Sequence, residues 1–310
     1  MTRVAAIDCG TNSVRLLVAD LPADAGDPTA PLTDRCRRME IVRLGEGVDR
    51  TGRLAAGAIE RTRVVLAGYA DQIGELGAER IRMVATSATR DAANADEFRA
   101  MVVATLGIPP EVVTGEEEAR LSFTGAVRGL PARLPSPYLV VDIGGGSTEF
   151  VLGDRDVEGA VSVDIGCVRM TERHLRDDPP TPAQIAAAEA DIDAAIDRAL
   201  DVVPGGRART VVGLAGSVTT VTALALGLDA YRPELIHHAE VTAAQVEDVA
   251  TTLLGMTHAQ RLALPVMHPG RADVIGAGAL IMHRVLRAVR ASTVVASEHD
   301  ILDGIAFGLG

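Results

Sequence analysis

Two stretches of the chain place an acid, a glycine turn and hydroxyl donors in the same order. Residues 138–152 read Tyr-Leu-Val-Val-Asp-Ile-Gly-Gly-Gly-Ser-Thr-Glu-Phe-Val-Leu, and residues 4–18 read Val-Ala-Ala-Ile-Asp-Cys-Gly-Thr-Asn-Ser-Val-Arg-Leu-Leu-Val. In the later copy an apolar run delivers Asp142 to Gly144, Gly145 and Gly146. A second apolar run then carries Thr148 and Glu149 away. Consecutive glycines let a backbone turn tightly and bring its N–H groups against a ligand, where a side chain would intervene. Successive N–H groups in such a turn form an anion-binding concavity, to which Ser147 adds a hydroxyl. Asp142 beside that cradle is an acid placed where a bound phosphate brings a divalent cation. The earlier copy offers Asp8, Gly10 and donors at Thr11, Asn12 and Ser13. One copy alone is equally consistent with a plain hairpin turn. Two copies a domain's length apart indicate two similar domains, each presenting a phosphate loop to a shared cleft.

Other residues carry weaker signals. Val211 to Ser217 is a strand running into a small-residue turn, and Gly216 and Ser217 open a helix whose N-terminal amides suit an anion. Close helix–strand packing would also require small residues there. Arg90 closes the strand-derived segment Ala85-Thr-Ser-Ala-Thr-Arg, at the end of a sheet where α/β proteins present ligand sites. A surface arginine starting the next helix is the ordinary alternative. Glu116, Glu117 and Glu118 stand at a helix start, where acids complement the helix dipole. The functional alternative is that one of them is a general base, and spacing does not say which. His237 and His238, with no carboxylate or cysteine at ligand spacing, read as loop histidines. Asp273 reads as the cap of the helix that follows, the alternative being that it and Arg271 face the cleft.

The elements that must position these residues alternate along the chain. Strands are expected at 33–44, 81–86, 161–164, 211–214 and 293–296. Helices are expected over roughly 56–76, 96–106, 116–130, 181–201, 218–226 and 301–307. In the first of these Leu66, Tyr69, Ile73 and Leu76 recur at helical spacing. Such alternation indicates α/β layers. The proline-rich stretch 130–137 is the expected linker, giving domains at 1–132 and 133–310, with the last helix free to pack back on the first.

Composition narrows the function classes. The 310 residues suit two domains. Aromatics are only 2% and tryptophan is absent, so both cores are built from Ala, Val, Leu and Ile. Every one of the 30 basic residues is arginine, so any phosphate-binding cation is a guanidinium, suited to bidentate contact. Without lysine a nucleotide loop of the Gly-x-x-x-x-Gly-Lys type is impossible, and no nucleophile elbow occurs. A net charge of −12 argues against nucleic acid as partner. Cys9, Cys36 and Cys167 are odd in number and lack metal-ligand spacing, which suits a reduced cytoplasmic setting. Residues 1–7 are too short for a signal-peptide core. The uncharged stretch 210–228 is too rich in Gly and Thr for a membrane span.

Taken together, Asp8-x-Gly-Thr-Asn-Ser and Asp142-Ile-Gly-Gly-Gly-Ser-Thr-Glu resemble the acetate/sugar kinase, heat-shock-cognate and actin superfamily. More narrowly, the chain resembles the exopolyphosphatase / guanosine pentaphosphate phosphohydrolase family. Arg43-Leu-Gly-Glu-Gly, Ala85-Thr-Ser-Ala-Thr-Arg90, Thr114-Gly-Glu-Glu-Glu-Ala-Arg120, Gly166-Cys-Val-Arg169 and Arg271-Ala-Asp-Val-Ile275 support this in order along the chain. The resemblance implies an α/β fold of two ribonuclease-H-like (actin-like ATPase) domains with an interdomain cleft. It implies metal-dependent hydrolysis of a terminal phosphoanhydride of inorganic polyphosphate, on short chains given the short C-terminus. Guanosine pentaphosphate is the alternative substrate, and a non-catalytic alarmone-nucleotide sensor a further one. By the same resemblance Glu118 is the catalytic base and Arg90 binds substrate phosphate. Asp142 and Glu149 take the metal, Mg²⁺ with K⁺ as a further ion, and the protein is a homodimer. Cys9 replaces the family's usual aliphatic residue, and strand alternation should turn it away from Asp8.

Overall fold

The computed structural model describes residues 2–22 and 30–310; Met1, where the leader reading begins, lies outside them. The chain forms two compact units, Met1–Gly129 with Asp300–Gly310, and Leu130–His299. The change of unit falls at the start of the Pro-rich stretch, three residues before the expected boundary, and the C-terminal helix belongs with the first unit.

The first unit opens with a hairpin, β1 (Arg3–Cys9) and β2 (Ser13–Asp20), extended by β3 (Thr33–Ile41). It continues with α1 (Val48–Thr51), α2 (Ala56–Leu76), β4 (Arg80–Ala85), α3 (Ser87–Arg90), α4 (Ala95–Leu106), β5 (Glu111–Val112) and α5 (Gly115–Val127). The sheet order is β3-β2-β1-β4-β5, with β1, β4 and β5 parallel and the hairpin antiparallel. Strand alternation sorts β1 onto two cores. Ala5, Ile7 and Cys9 face a cluster that holds Leu66, Tyr69 and Phe98 of α2 and α4. Val4 and Ala6 face the C-terminal helix Ile301–Phe307 through Ile301, Leu302 and Ile305. Cys9 is therefore turned away from Asp8, as alternation requires. Against α5 the C-terminal helix packs backbone to backbone. A Cβ on Gly125 would stand 1.8 Å from the Asp300 carbonyl oxygen, and one on Gly304 2.0 Å from that of Leu121. Only glycine permits this approach, and it fixes α5 and Asp300 in one layer beneath the sheet.

In the second unit β6 (Tyr138–Ile143), β7 (Thr148–Gly153) and β8 (Val157–Val163) form an antiparallel meander. Then come α6 (Cys167–Arg173), α7 (Pro182–Val202), β9 (Thr210–Leu214), α8 (Ala215–Ala225), α9 (Pro233–Ile236) and β10 (Glu240–Thr242). The unit closes with α10 (Ala243–Gly255), α11 (His258–Leu262), α12 (Ile275–Ala288) and β11 (Thr293–Ala296). The sheet order is β10-β11-β9-β6-β7-β8, with β9 and β11 parallel to β6. Each unit thus carries a three-stranded antiparallel meander joined through its first strand to a parallel fourth, which is the repeat anticipated from the two acid–glycine stretches. Val, Leu, Ile and Ala dominate the core, and Phe150 is its one fully buried aromatic. Asp273 does not cap α12: Val274 holds the N-cap position, without a side-chain cap. No helix among the described residues is long and apolar enough to cross a membrane.

Candidate functional site

Both glycine turns are closed by the same hydrogen bond. The Gly10 N–H donates to the Ser13 carbonyl and the Gly144 N–H to the Ser147 carbonyl, each at 3.0 Å. In each loop the following segment then takes up the remaining carbonyls. The N–H groups of Val42 and Arg43 donate to Asn12, and that of Gly45 to Thr11. Those of Cys167 and Val168 donate to Gly144 and Gly145, and the Arg169 guanidinium reaches Gly146 at 2.7 Å. With carbonyls engaged inside the protein, the amides point the other way. Those of Thr11, Asn12, Gly145 and Gly146 donate to no group among the described residues. The Arg43–Gly47 and Gly166–Arg169 motifs therefore act as clamps that orient the loops as N–H donors, which is the geometry of an anion cradle.

The clamp on the second loop leaves no spare room. A Cβ on Gly166 would lie 2.4 Å from the Gly145 carbonyl carbon and oxygen and 2.5 Å from the Gly146 nitrogen. Ser147 and Thr148 are buried, and the Thr148 hydroxyl donates to the Ile165 carbonyl.

The loops differ in what faces their aspartate across the hairpin. Asp8 is paired in register with Arg15, and Asp142 with Glu149. In the first loop the Arg15 Nη2 meets Asp8 Oδ2 at 2.7 Å, and its other arm holds Asp300. Burial raises the Asp8 pKa above the ordinary carboxylate value, against the pull of Arg15. Burial also acts on Asp300, but the charge and hydrogen bond of Arg15, with the Leu302 N–H, outweigh it and hold that carboxyl low. Arg15 and Asp300 carried no signal as site residues in the sequence. Arg15 is one basic residue in an alternating strand, and its partner lies at the far end of the chain.

In the second loop an acid, Glu149, takes the place that Arg15 holds in the first. Directly opposed residues share a sheet face with Cβ atoms about 5 Å apart, so Asp142 and Glu149, both buried, stand together. Ser162, opposite Glu149 on β8, donates its hydroxyl to Glu149 Oε1 at 2.7 Å. Two carboxylates suit a cation that keeps water ligands and takes others from a bound phosphate, as Mg²⁺ does. The described residues contain no group of three or more His, Cys, Asp or Glu side chains arranged to enclose a metal.

Burial separates the three consecutive acids of α5. Glu116 and Glu117 are exposed and pair with Arg120 at 2.9 Å and Arg82 at 3.3 Å. Glu118 is buried, 8% exposed, and accepts from Arg90 Nη1 at 3.1 Å. The same nitrogen donates to the Val113 carbonyl at 2.9 Å, so Arg90 is held at two points. Thr114 caps α5 by accepting from the Glu117 N–H, which fixes the first turn that carries Glu118. Thr11 and Ser87 share a hydrogen bond of 2.8 Å, tying the first loop to the segment that ends in Arg90.

At the third turn Ala215 takes a left-handed φ of 66°, and α8 runs from Ala215, earlier than the expected start at 218. The Arg271 guanidinium lies so close to Gly216 that a Cβ there would meet its Cζ at 2.0 Å, and it donates to the Gly216 carbonyl at 3.1 Å. Ser217 is turned toward α12, where its Oγ would meet a Cβ on Gly278 at 2.3 Å. His237 and His238 follow α9, their ring centroids 3.6 Å apart.

Known proteins resemble the chain over its length. The model of the Ppx/GppA phosphatase family matches residues 24–309. A curated protein of Mycobacterium tuberculosis named Exopolyphosphatase 2 is 51% identical over 318 aligned residues, covering 100% of this chain and 99% of that protein. A crystal structure described as an exopolyphosphatase-like protein has a TM-score of 0.95 at 44% identity, covering 100% of this chain and 98% of its own. The structure of an Aquifex aeolicus member of the Ppx/GppA protein family gives 0.82 at 32%, covering 99% of this chain and 97% of its own.

Proposed function

The chain belongs to the Ppx/GppA phosphatase family, and we propose that it is an exopolyphosphatase, releasing the terminal phosphate of inorganic polyphosphate. The observation that carries this reading is the end-to-end 51% identity to a protein named Exopolyphosphatase 2. Two amide-lined glycine loops, the buried Asp142–Glu149 pair and the buried Glu118 support it from the chemistry side.

In this account the N–H groups of Thr11, Asn12, Gly145 and Gly146, with the Ser13 and Ser147 hydroxyls, bind phosphate oxygens. Gly10, Gly144 and Thr148, expected as donors to phosphate, instead use their N–H or O–H groups to close and brace the turns, and Gly216 and Ser217 pack on Arg271 and α12. Charge that develops on the transferred phosphoryl group is met by these donors and by Arg90. Glu118, held by Arg90, orients the attacking water and accepts its proton. Asp142 and Glu149 hold a divalent cation, Mg²⁺, which when bound neutralises phosphate charge. Ser162 fixes the Glu149 carboxylate. Asp8, expected at the phosphate, is paired with Arg15 and shapes its loop. The protein acts in the cytoplasm and as a homodimer.

The test is phosphate release by purified protein with Mg²⁺ from short polyphosphate, long polyphosphate and guanosine pentaphosphate side by side. Release from polyphosphate, greatest for short chains, is expected. Release from the nucleotide alone would overturn the substrate assignment.

A further inference from the structure

The loops of the second unit stand at the carboxyl ends of β6 and β9. At the opposite, amino ends of the same strands lies a cleft of about 850 Å³. It lies between the segment that leads into β6, the turn that leads into β9 and the α12–β11 connection. Arg133, Arg209 and Arg290 line it, one from each segment, with Glu240 as the one acidic residue.

The charge there runs against the rest of the protein. A chain with twelve more acids than bases gathers three guanidinium groups around one cleft against one carboxylate. Elsewhere its arginines are widely engaged, as with Arg3, Arg15, Arg35, Arg37, Arg82 and Arg284. None of the three cleft guanidinium groups has a side-chain hydrogen bond or ion pair among the described residues.

Arg290 adds an independent sign. It follows the C-cap of α12 with φ of 55°, in the left-handed region, and the Ala291 N–H donates back to Leu286. Glycine ordinarily fills this position, because any Cβ is strained there. Arginine in its place keeps a strained backbone for the sake of a side chain at the cleft. A cation at a helix C-terminus also complements the dipole. That accounts for Arg290 alone and leaves Arg133 and Arg209, which precede strands, without a reason.

We propose that this cleft is a second anion site, taking a ligand that carries a run of two or more phosphates. Three guanidinium forks match phosphate oxygens bidentately, and a single monovalent anion would leave most of their charge unmet. The volume is that of an ordinary small-molecule site. Gly205, Gly206, Ala208, Ala288 and Ala291 keep it open. Val211 is the last β9 residue at the cleft, and the strand carries the chain about 13 Å from there to the third turn at Ala215, so its ligand does not touch the loops.

The test is calorimetric titration of the whole protein with inorganic triphosphate, without added metal so that turnover does not intervene. It is run on wild type, on the double variant Arg209→Glu/Arg290→Glu and on Arg290→Gly. Wild type should show one binding component that the charge-reversed variant lacks and that Arg290→Gly weakens about tenfold. The Arg290→Gly protein should be at least as thermostable as wild type, since glycine relieves the strained φ, which separates lost binding from lost folding. Hydrogen exchange should slow over 204–211 and 288–293 in wild type only. Titration with a sugar bisphosphate tells the sources apart. The same component there means that the phosphates can sit on an organic body, and its absence means an inorganic chain. Identical triphosphate isotherms for wild type and the double variant would overturn the proposal whatever the protein hydrolyses, and phosphate release at saturating polyphosphate should be unchanged in all three.

Discussion

The Gly166→Ala variant probes the clamp on the second loop with one methyl group. Gly166 has an extended backbone (φ −136°, ψ 163°), so alanine brings no conformational strain of its own. All of its effect must come from contact. The added Cβ would stand 2.4 Å from the Gly145 carbonyl, whereas ordinary contact begins at 3.4 Å. Backbone has to yield by roughly 1 Å, and the obstructing atoms belong to the amide cradle itself. Overpacking of this kind costs about 1–3 kcal/mol, and a displacement of that size at a reacting centre lowers turnover by about 10²-fold. Chemical denaturation and phosphate release from polyphosphate measure the two effects on one preparation. A modest loss of stability with a large loss of kcat/KM is expected. A variant with wild-type activity would refute the argument that α6 holds the glycine loop in its working shape.

Arg15→Met leaves Asp8 and Asp300 buried without their shared cation, and should cost about 3–5 kcal/mol in denaturant melts; an unchanged midpoint would contradict the pairing. Ser162→Ala removes a hydroxyl donor from Glu149 Oε1, so the Mg²⁺ concentration for half-maximal phosphate release should rise about ten- to hundredfold. Equal metal dependence would count against Glu149 as a ligand. Hydrogen bonds from Arg3 and Arg35 hold the Asp20 carboxyl at about 2, below its ordinary 3.8. Because the folded value is the lower one, its stabilisation is present above pH 3.8 and is lost as pH falls toward 2. Wild type should therefore exceed Asp20→Asn in stability at neutral pH, with the gap closing across that window; a gap independent of pH would be the contrary result.

How legible these features were depends on how far each signal reaches along the chain. The helix Ala56–Leu76 was readable because Leu66, Tyr69, Ile73 and Leu76 repeat on one face. The glycine loops were readable because an acid, glycines and hydroxyls stand together within eight residues. Glu118 was not separable from Glu116 and Glu117 by spacing. What singles it out is burial beside Arg90, which depends on how α5 packs on the C-terminal helix through Gly125 and Gly304. The Arg15–Asp300 contact joins residues 285 apart, and no local pattern marks it. The clamps were visible only as motifs, since backbone N–H groups leave no trace in residue type. Asp273 stood where a cap belongs, but α12 starts one residue later than that cap needs, with Val274 at the N-cap.

The central claim is that Glu118 is the base of a polyphosphate-hydrolysing site. The most direct measurement is phosphate release from short polyphosphate, with Mg²⁺, by wild type and by Glu118→Gln at matched folding stability. Glutamine keeps the shape and an acceptor for Arg90 but cannot take a proton. The account predicts robust release by wild type and a loss of about 10²–10⁴-fold in the variant, the range of general-base catalysis. A Gln variant that hydrolyses polyphosphate at the wild-type rate would contradict it.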